Sequence, residues 1–276
     1  MGCAGALRDI WRSWRAVCLA AAALAATPAE AIQIYLSTAN GATLGGLTFR
    51  DGDIVRYDTV AGTASLFFSE NAFSANENVD AFSMLPNGHL LLSTAGNSTI
   101  GGLNIRPGDV AEYDPVSGVA TLFFNQNLFL NAANIDAFTV LPNGHVVLST
   151  VDSETLAGLA FRDGDLVEYN PVSGAASLFF NEDLFAANED VDAVSVLEDG
   201  SIVLSTETGA ILGGLSFRDG DLVRYFPLTN TAILYFSESA FSANENIDAV
   251  FVPEPGTGLL LAMGLAHLSR RRQRVV

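Results

Sequence analysis

The segment Phe49-Arg50-Asp51-Gly52-Asp53-Ile54-Val55-Arg56-Tyr57 returns in related form from Ile105, Phe161 and Phe217, and each return lies 56 positions after the last. A fixed period of this length is typical of chains built from stacked copies of one supersecondary unit. In each copy the Gly-Asp pair opens a short apolar run that the tyrosine closes, which is the pattern of a strand. The sequence therefore predicts an all-β repeat fold.

Each unit contains a β-hairpin. An aspartate lies in the apolar run 79–85, Pro86-Asn87-Gly88 forms a turn, and a second apolar run follows at 90–94. Asn-Gly and Asp-Gly pairs favour a two-residue turn, because they supply the positive φ angles that it requires. The next dozen residues carry a leucine or isoleucine before a small pair, so we expect a packed loop there.

The second half of each unit supplies two more strands, such as 53–57 and Ser65-Leu66-Phe67-Phe68. The turn between them holds glycine in three units and Asn230 in the fourth. Because Asn tolerates a left-handed backbone best after Gly, we expect one turn geometry in all four units. Strands two and four are continuous apolar runs, which predicts that both faces of each are covered by stacked blades.

The ends of the repeat predict a closed ring. The body starts at strand two, near Leu36, and stops after strand one of a further unit, near Ala249. The two ends together complete one blade, whereas an open solenoid would need atypical capping repeats. We therefore expect a four-bladed β-propeller over residues 32–252, in which the strand near Ala249 pairs with the strand near Leu36.

An Asp-Ala pair opens strand one in every blade, and in this respect the repeat resembles haemopexin-type four-bladed propellers. The resemblance implies the same blade count. The repeat here is longer and lacks the disulfide of that family. The four pairs are Asp80-Ala81, Asp136-Ala137, Asp192-Ala193 and Asp248-Ala249.

The repeated body is strongly acidic. Between residues 32 and 252 there are 28 Asp and Glu residues against six arginines and no lysine. Such a surface repels nucleic acid, because binding to phosphate requires clustered Lys and Arg. Cations, cationic polymers and neutral glycans are compatible partners, and the charge also serves simple solubility.

The N-terminal residues 1–31 have the three parts of a secretory signal peptide: three arginines, an apolar run at 16–26, and the small-x-small site Ala29-Glu30-Ala31. Cleavage after Ala31 predicts a mature chain without cysteine. That chain has no disulfide and no thiolate site for a metal.

The C-terminal residues 253–276 combine Pro253-Glu254-Pro255, an apolar run at 258–266, and the basic cluster Arg270-Arg271-Arg272. This tail resembles the PEP-CTERM sorting signal of exported bacterial proteins. The resemblance implies export by the secretion machinery, transient retention in the inner membrane, cleavage by an exosortase, and release to the cell surface or an extracellular polysaccharide matrix. Because spanning a bilayer takes about 20 apolar residues, we expect transient membrane insertion; an ordinary membrane anchor is the alternative.

The sequence carries no recognisable catalytic motif. The body has two histidines, His89 and His145, each just after a hairpin turn, and no nucleophile elbow or phosphate loop. Its carboxylates recur in every unit, whereas acid–base chemistry needs differently tuned groups at one site. We expect a structural or adhesive protein that is not an enzyme. A propeller that binds a glycan or a cation is the alternative, and a glycan hydrolase is less favoured.

Four aspartates are expected to converge on the propeller axis if strand one is innermost: Asp80, Asp136, Asp192 and Asp248. Converging like charges must be protonated, turned outward or neutralised. Oxygen-only ligation favours Ca²⁺ as the neutralising ion. The alternative is that each aspartate caps the turn before its own strand. A weaker second set of acids, Asp51, Asp53 and their repeats, is interrupted by Pro107.

Overall fold

The chain is an all-β, four-bladed propeller in the computed structural model, which describes residues 32–253. The expected fold class is confirmed. The signal peptide, with Ala29 and Ala31, lies outside the described residues, as does the sorting tail after Pro253, with Glu254, Pro255, Arg270, Arg271 and Arg272. Within the described part, no helix has the length and apolarity to cross a bilayer.

Each blade is a four-stranded antiparallel sheet. From the innermost strand outwards, the strands of blade 1 are Ala249–Phe251, Gln33–Ser37, Ile54–Asp58 and Thr63–Phe68; of blade 2, Ala81–Met84, Leu90–Ser93, Val110–Asp114 and Val119–Phe124; of blade 3, Ala137–Val140, Val146–Ser149, Leu166–Asn170 and Ala175–Phe180; and of blade 4, Ala193–Val196, Ile202–Ser205, Leu222–Phe226 and Thr231–Phe236.

Blade 1 closes the ring as expected. Tyr35 pairs with Phe251 and Ser37 pairs with Ala249, so one strand from the C-terminal end completes a sheet of three N-terminal strands. The predicted pairing near Leu36 is confirmed. The first and last strands of the described chain therefore lie side by side.

The segment expected to be a packed loop is instead a small hairpin in every unit. Its turn is Gly45-Gly46 in the first unit, with φ angles of 54° and 82°, and the preceding Leu44 is completely buried. The expected packing is confirmed, and the glycine pairs are the signal that could have identified the hairpin. The four hairpins are Ala42–Leu44 with Leu47–Phe49, Ser98–Ile100 with Leu103–Ile105, Glu154–Leu156 with Leu159–Phe161, and Ala210–Leu212 with Leu215–Phe217.

The turns of the inner hairpins are longer than expected. Leu85 N donates to His89 O at 2.9 Å, and Gly88 N donates to Leu85 O at 2.9 Å. Only Gly88 has a positive φ, 86°, because Pro86 is held at a negative φ by its ring. The connection is therefore a three-residue loop, a type I turn followed by a left-handed glycine.

The turn between strands three and four partly follows the prediction. Asn230 has a φ of 50°, and glycines occupy the same left-handed position in the other units, Gly62 at 65°, Gly118 at 69° and Gly174 at 69°. All four blades thus share the left-handed position, although the backbone bond of the turn runs from Gly62 N to Asp58 O in blade 1 and from Thr229 N to Phe226 O in blade 4. A short 3-10 helix follows each outer strand: Glu70–Ala72, Gln126–Leu128, Glu182–Leu184 and Glu238–Ala240.

The expectation that strand four is covered on both faces is wrong. Leu66 is 51% exposed, whereas strand two of the same blade is buried along Ile34 to Ser37. Strand four is the outer edge of its sheet, so it has a neighbouring strand on one side only. A bulge at Phe67 turns the next residue, Phe68, inward. Phe68 then joins Phe82, Leu90 and other residues of blade 2 in a core cluster between the two blades.

Candidate functional site

The innermost strands of the four blades contact one another around the axis. An aspartate immediately precedes each of these strands, and all four of these aspartates are buried. They line one cavity of about 230 Å³ together with Asn78, Asn246, Asp190 and Glu207. No Lys, Arg or His is among the residues that line this axial cavity.

A second set of polar side chains stands two positions before the aspartates: Asn78, Asn134, Asp190 and Asn246. The Asn134 Nδ2 donates to Asp80 Oδ2 at 3.1 Å, and the Asn78 Nδ2 donates to Asp248 Oδ2 at 2.8 Å. Each bond joins neighbouring blades. The carboxylates of Asp80 and Asp248 are thus held by the next blade. Sequence reasoning missed this second set, although its fixed offset was a usable signal.

The other two aspartates lack such partners. No hydrogen bond of 3.5 Å or less reaches either oxygen of Asp136 or of Asp192, although the Asn246 amide is close enough to Asp192 to lower its pKa in part. Asp190 stands beside Asp136, where the other blades have an asparagine, and Asn246 stands beside Asp192. The cavity is therefore four-fold in architecture but asymmetric in its hydrogen bonding.

Burial changes the acidity of the carboxyls in the axial cavity. Desolvation first, and then the charge of the nearby Asp248, raise the pKa of Asp80 to about 7. Desolvation also raises the pKa of Asp248 and of Asp190 to about 7. The pKa values of Asp136 and Asp192 lie well above the usual range, first because of burial and then because of neighbouring aspartates. The cavity therefore favours either protons or a bound cation.

The donor atoms of this cavity are oxygens of carboxylates and amides. Within residues 32–253, no three side chains of His, Cys, Asp or Glu converge closely enough to hold one metal ion by themselves. An axial ion would therefore need amide oxygens and water as well as carboxylates. The assignment of Asp80, Asp136, Asp192 and Asp248 to a metal stays a prediction.

The aspartates that directly follow a glycine just before strand three, such as Asp53 and Asp165, have a structural role instead. Asp165 Oδ2 accepts from Arg162 N at 2.9 Å, and its Oδ1 accepts from Glu182 N at 2.9 Å. One carboxylate thus fixes the tight turn before strand three and also holds the short helix after strand four. Asp53, Asp109 and Asp221 make the same pair of bonds to their own turns and helices.

The two histidines are paired with acids on the outer part of their blades. The Nδ1 of His89 lies 2.7 Å from Glu112 Oε1, and the Nδ1 of His145 lies 2.5 Å from Glu168 Oε1. Blade 4 has Ser201 at this position, and Arg224 donates to it at 2.8 Å. These side chains are half-buried and lie at the hairpin-turn end of the inner strands, opposite to the end that carries the aspartates, and they do not line the axial cavity.

Comparison with known proteins gives no assignment. No family model and no curated protein matches this chain. Among solved structures, the extracellular domain of a putative hybrid two-component system from B. thetaiotaomicron is 13% identical with a TM-score of 0.37, over 81% of this chain and 36% of that one. A protein of unknown function from Bacteroides caccae is 9% identical with a TM-score of 0.34, over 73% and 72%.

A further solved structure, YCF48 bound to a D1 peptide, is 10% identical with a TM-score of 0.33, over 72% of this chain and 51% of that one. This chain thus spans about a third of the length of the two-component-system domain and half of YCF48. At this level of similarity the likenesses carry no argument about function. The assignment of function rests on the residues of this chain.

Proposed function

We propose that this chain is an exported propeller that is sorted to the cell surface or an extracellular polysaccharide matrix and has a structural or adhesive role there. The observation that carries the proposal is the C-terminal combination of Pro253-Glu254-Pro255, an apolar run and the basic cluster Arg270-Arg271-Arg272. The signal peptide at residues 1–31 supports export. The partners are then the secretion machinery, an exosortase-type enzyme, and a matrix polysaccharide.

The fold is compatible with this role. The described chain enters and leaves the propeller through adjacent strands of blade 1. Cleavage after Pro253 would therefore leave every strand pairing among residues 32–253 in place. The acidic body, with 28 acids and six arginines, does not offer the clustered cations that nucleic acid requires.

Cleavage of the tail is the direct test. The protein is produced in its native cells and in the same cells without the exosortase-type enzyme. The intact mass of the released protein is then measured in both. We expect the released form to lack Arg270 to Val276 and to be lost when the enzyme is absent. A Glu254→Ala variant should stay with the membrane fraction, whereas Glu198→Ala, which changes an acid of the body, should be released normally.

A released protein that still carries Arg270 to Val276 would overturn the sorting proposal. Release that does not depend on the processing enzyme would do the same. Catalysis is not part of the proposal, so incubation with matrix polysaccharide should yield no new reducing ends. An increase in reducing ends, absent from the heat-inactivated protein, would instead support a glycan hydrolase.

Ligand binding is the second candidate role. The observation that favours it is the axial cavity, in which both oxygens of Asp136 and of Asp192 are buried without a partner. Buried polar atoms without partners are uncommon in native proteins, because each loses its hydration without compensation. A ligand that supplies positive charge would compensate these carboxylates for the hydration that they have lost.

A further inference from the structure

The axial cavity departs from four-fold symmetry at two positions, both in the fourth unit: Asp190, and Glu207, which stands where the other units have Ala39, Ala95 and Val151. Asn78, Asn134 and Asn246 occupy the position two residues before the inner-strand aspartate in three units, and Asp190 occupies it in the fourth. An asparagine there presents an amide donor to the carboxylate of the neighbouring blade, as Asn134 does for Asp80. An ionised Asp190 has no proton to donate. Asp136, which it faces, consequently has no amide partner.

The unpartnered carboxylate oxygens are concentrated on one side of the cavity. They are both oxygens of Asp136, both oxygens of Asp192, and Oδ1 of Asp190, whereas the unpartnered amide oxygens of Asn78, Asn134 and Asn246 are spread around the ring. Asp136 is 5% exposed and Asp192 is 7% exposed, so both carboxylates are largely removed from bulk water. On the other side, Asp80 and Asp248 each accept an amide hydrogen bond. The side formed by blades 3 and 4 therefore has the larger deficit of positive charge.

The protein itself does not supply that charge. The residues lining the cavity include five aspartates and Glu207, and no basic side chain. Two ionised carboxylates side by side in a buried site repel each other strongly unless a proton or a cation lies between them. Since the remaining donors of the cavity are amide oxygens, a cation that prefers oxygen ligands is the group that fits.

We propose that the axial cavity binds one calcium ion off the axis, between Asp136 and Asp190. The two carboxylates supply its charged ligands, and amide oxygens of the neighbouring asparagines and water supply the rest. Calcium accepts six to eight oxygens in irregular geometry, whereas magnesium demands a near-ideal octahedron and zinc favours nitrogen and sulfur. The mixed ligand set also agrees with the absence of three converging acids in the described part of the chain.

This inference deepens the ligand-binding candidate and does not depend on sorting. The two proposals are tested by different measurements, one on the purified protein and the other on its location and mass in cells. Loss of correct sorting therefore leaves the calcium site intact. Failure to bind calcium likewise leaves the sorting proposal untouched.

The test is calcium titration of the full mature protein after removal of divalent ions. We expect heat of binding in calorimetry, one calcium per chain by elemental analysis after dialysis, and a higher melting temperature with calcium, because a ligand of the native state alone stabilises that state. The decisive variant is Asp190→Asn, which installs the residue present at this position in the other three units. We expect its calcium affinity to fall by at least about tenfold, since one of two charged ligands is lost.

The matched control is Asp183→Asn. It removes the same charge from an exposed acid that pairs with Arg162 outside the cavity, and its calcium affinity should equal that of the unmodified protein. Asp136→Asn serves as a second test variant if Asp190→Asn does not fold. Absence of calcium binding by the unmodified protein would overturn the proposal, as would unchanged affinity in Asp190→Asn or, in its place, Asp136→Asn. Equal affinity for magnesium would overturn the choice of ion.

Discussion

The propeller buries two rings of aspartates, and they differ in how the chain compensates their charge. In the outer ring, exemplified by Asp165, each carboxylate accepts two backbone N–H groups and lies near an arginine. In the axial ring, no hydrogen bond of 3.5 Å or less reaches the oxygens of Asp136 and Asp192, and no basic side chain lines their cavity. Both rings recur once per blade. Repetition of an acid therefore does not reveal its role; the groups that surround it do.

The difference is also seen in acidity. Burial acts to raise the pKa of Asp109 in the outer ring, but the hydrogen bonds from Arg106 and from two backbone N–H groups hold that pKa below its usual range. Burial without such donors leaves the pKa of Asp192 well above the usual range. The outer acids are thus stabilised as anions by the fold itself, whereas the axial acids need a proton or an added cation.

Asp165→Asn should destabilise the protein by about 2–4 kcal/mol. The substitution places an amide where two buried N–H groups need an acceptor, and each unsatisfied group costs about 1–3 kcal/mol. The measurement is urea unfolding in the presence of chelator. The control Asp183→Asn should change the unfolding free energy by less than about 1 kcal/mol, because exposed ion pairs contribute little. A loss no greater than that of the control would show that the outer ring is not structural.

The same Asp→Asn substitution in the axial ring should change the unfolding free energy in the opposite direction. In chelator at pH 8, Asp192→Asn should stabilise the protein by about 1–3 kcal/mol, because it removes a buried charge that no basic side chain of the cavity compensates. The measurement is again urea unfolding, with Asp165→Asn in the same buffer for comparison. Destabilisation of similar size in both variants would remove the distinction between the two rings.

Acidification should stabilise the calcium-free protein. The folded pKa values of Asp80, Asp190 and Asp248 are about 7, above the ordinary value of 3.8, so between these limits the folded state binds more protons than the unfolded state. The unfolding free energy should therefore rise as the pH falls from 8 towards 5 and level off near 4. Asp136, Asp192 and Glu207 face the same cavity, and the first two act in the same direction.

Melting temperature across a pH series, with and without calcium, measures this effect. Calcium should flatten the pH dependence, since a bound cation keeps the carboxylates ionised. The Asp190→Asn variant should show a shallower slope in chelator than the unmodified protein. A melting temperature that falls steadily from pH 8 to pH 5 in chelator would contradict the charge deficit of the axial ring.

Glu182→Gln should change stability by less than about 1 kcal/mol. Blade 2 has Gln126 at this position, and Gln126 Oε1 accepts from Gly108 N at 3.3 Å, as Glu182 Oε2 accepts from Gly164 N at 3.3 Å. The neutral side chain thus preserves the hydrogen bond, and the desolvation that raises the pKa of Glu182 is relieved. Urea unfolding beside Asp165→Asn tests it. A loss as large as that of Asp165→Asn would mean that the ion pair with Arg162, rather than the aspartate, holds the outer ring.

The sequence predicts only part of the candidate site. The four aspartates are predictable because each opens a strand at a fixed place in the repeat. Their partners were not predicted, because the bond from Asn78 to Asp248 joins residues 170 positions apart. Such a contact exists only once the ring has closed. Whether the carboxylate oxygens of Asp136 and Asp192 find a hydrogen-bond donor likewise depends on the side chain that the neighbouring blade places beside them.

The period, the number of blades, the completion of blade 1 by the two ends, and the left-handed turn at Asn230 can all be predicted from the amino-acid sequence. These are matters of counting and of local backbone sterics, which hold in any tertiary context. The exposure of strand four is known only from the tertiary structure. An apolar run such as Leu66-Phe67-Phe68 can form either an edge strand or a central strand, and its sequence does not distinguish the two. The tertiary structure also decided which buried acids have counter-charges. Whether a side chain is buried, and whether its charge is compensated, depends on how neighbouring blades pack against each other. The sequence of a single repeat does not specify that packing.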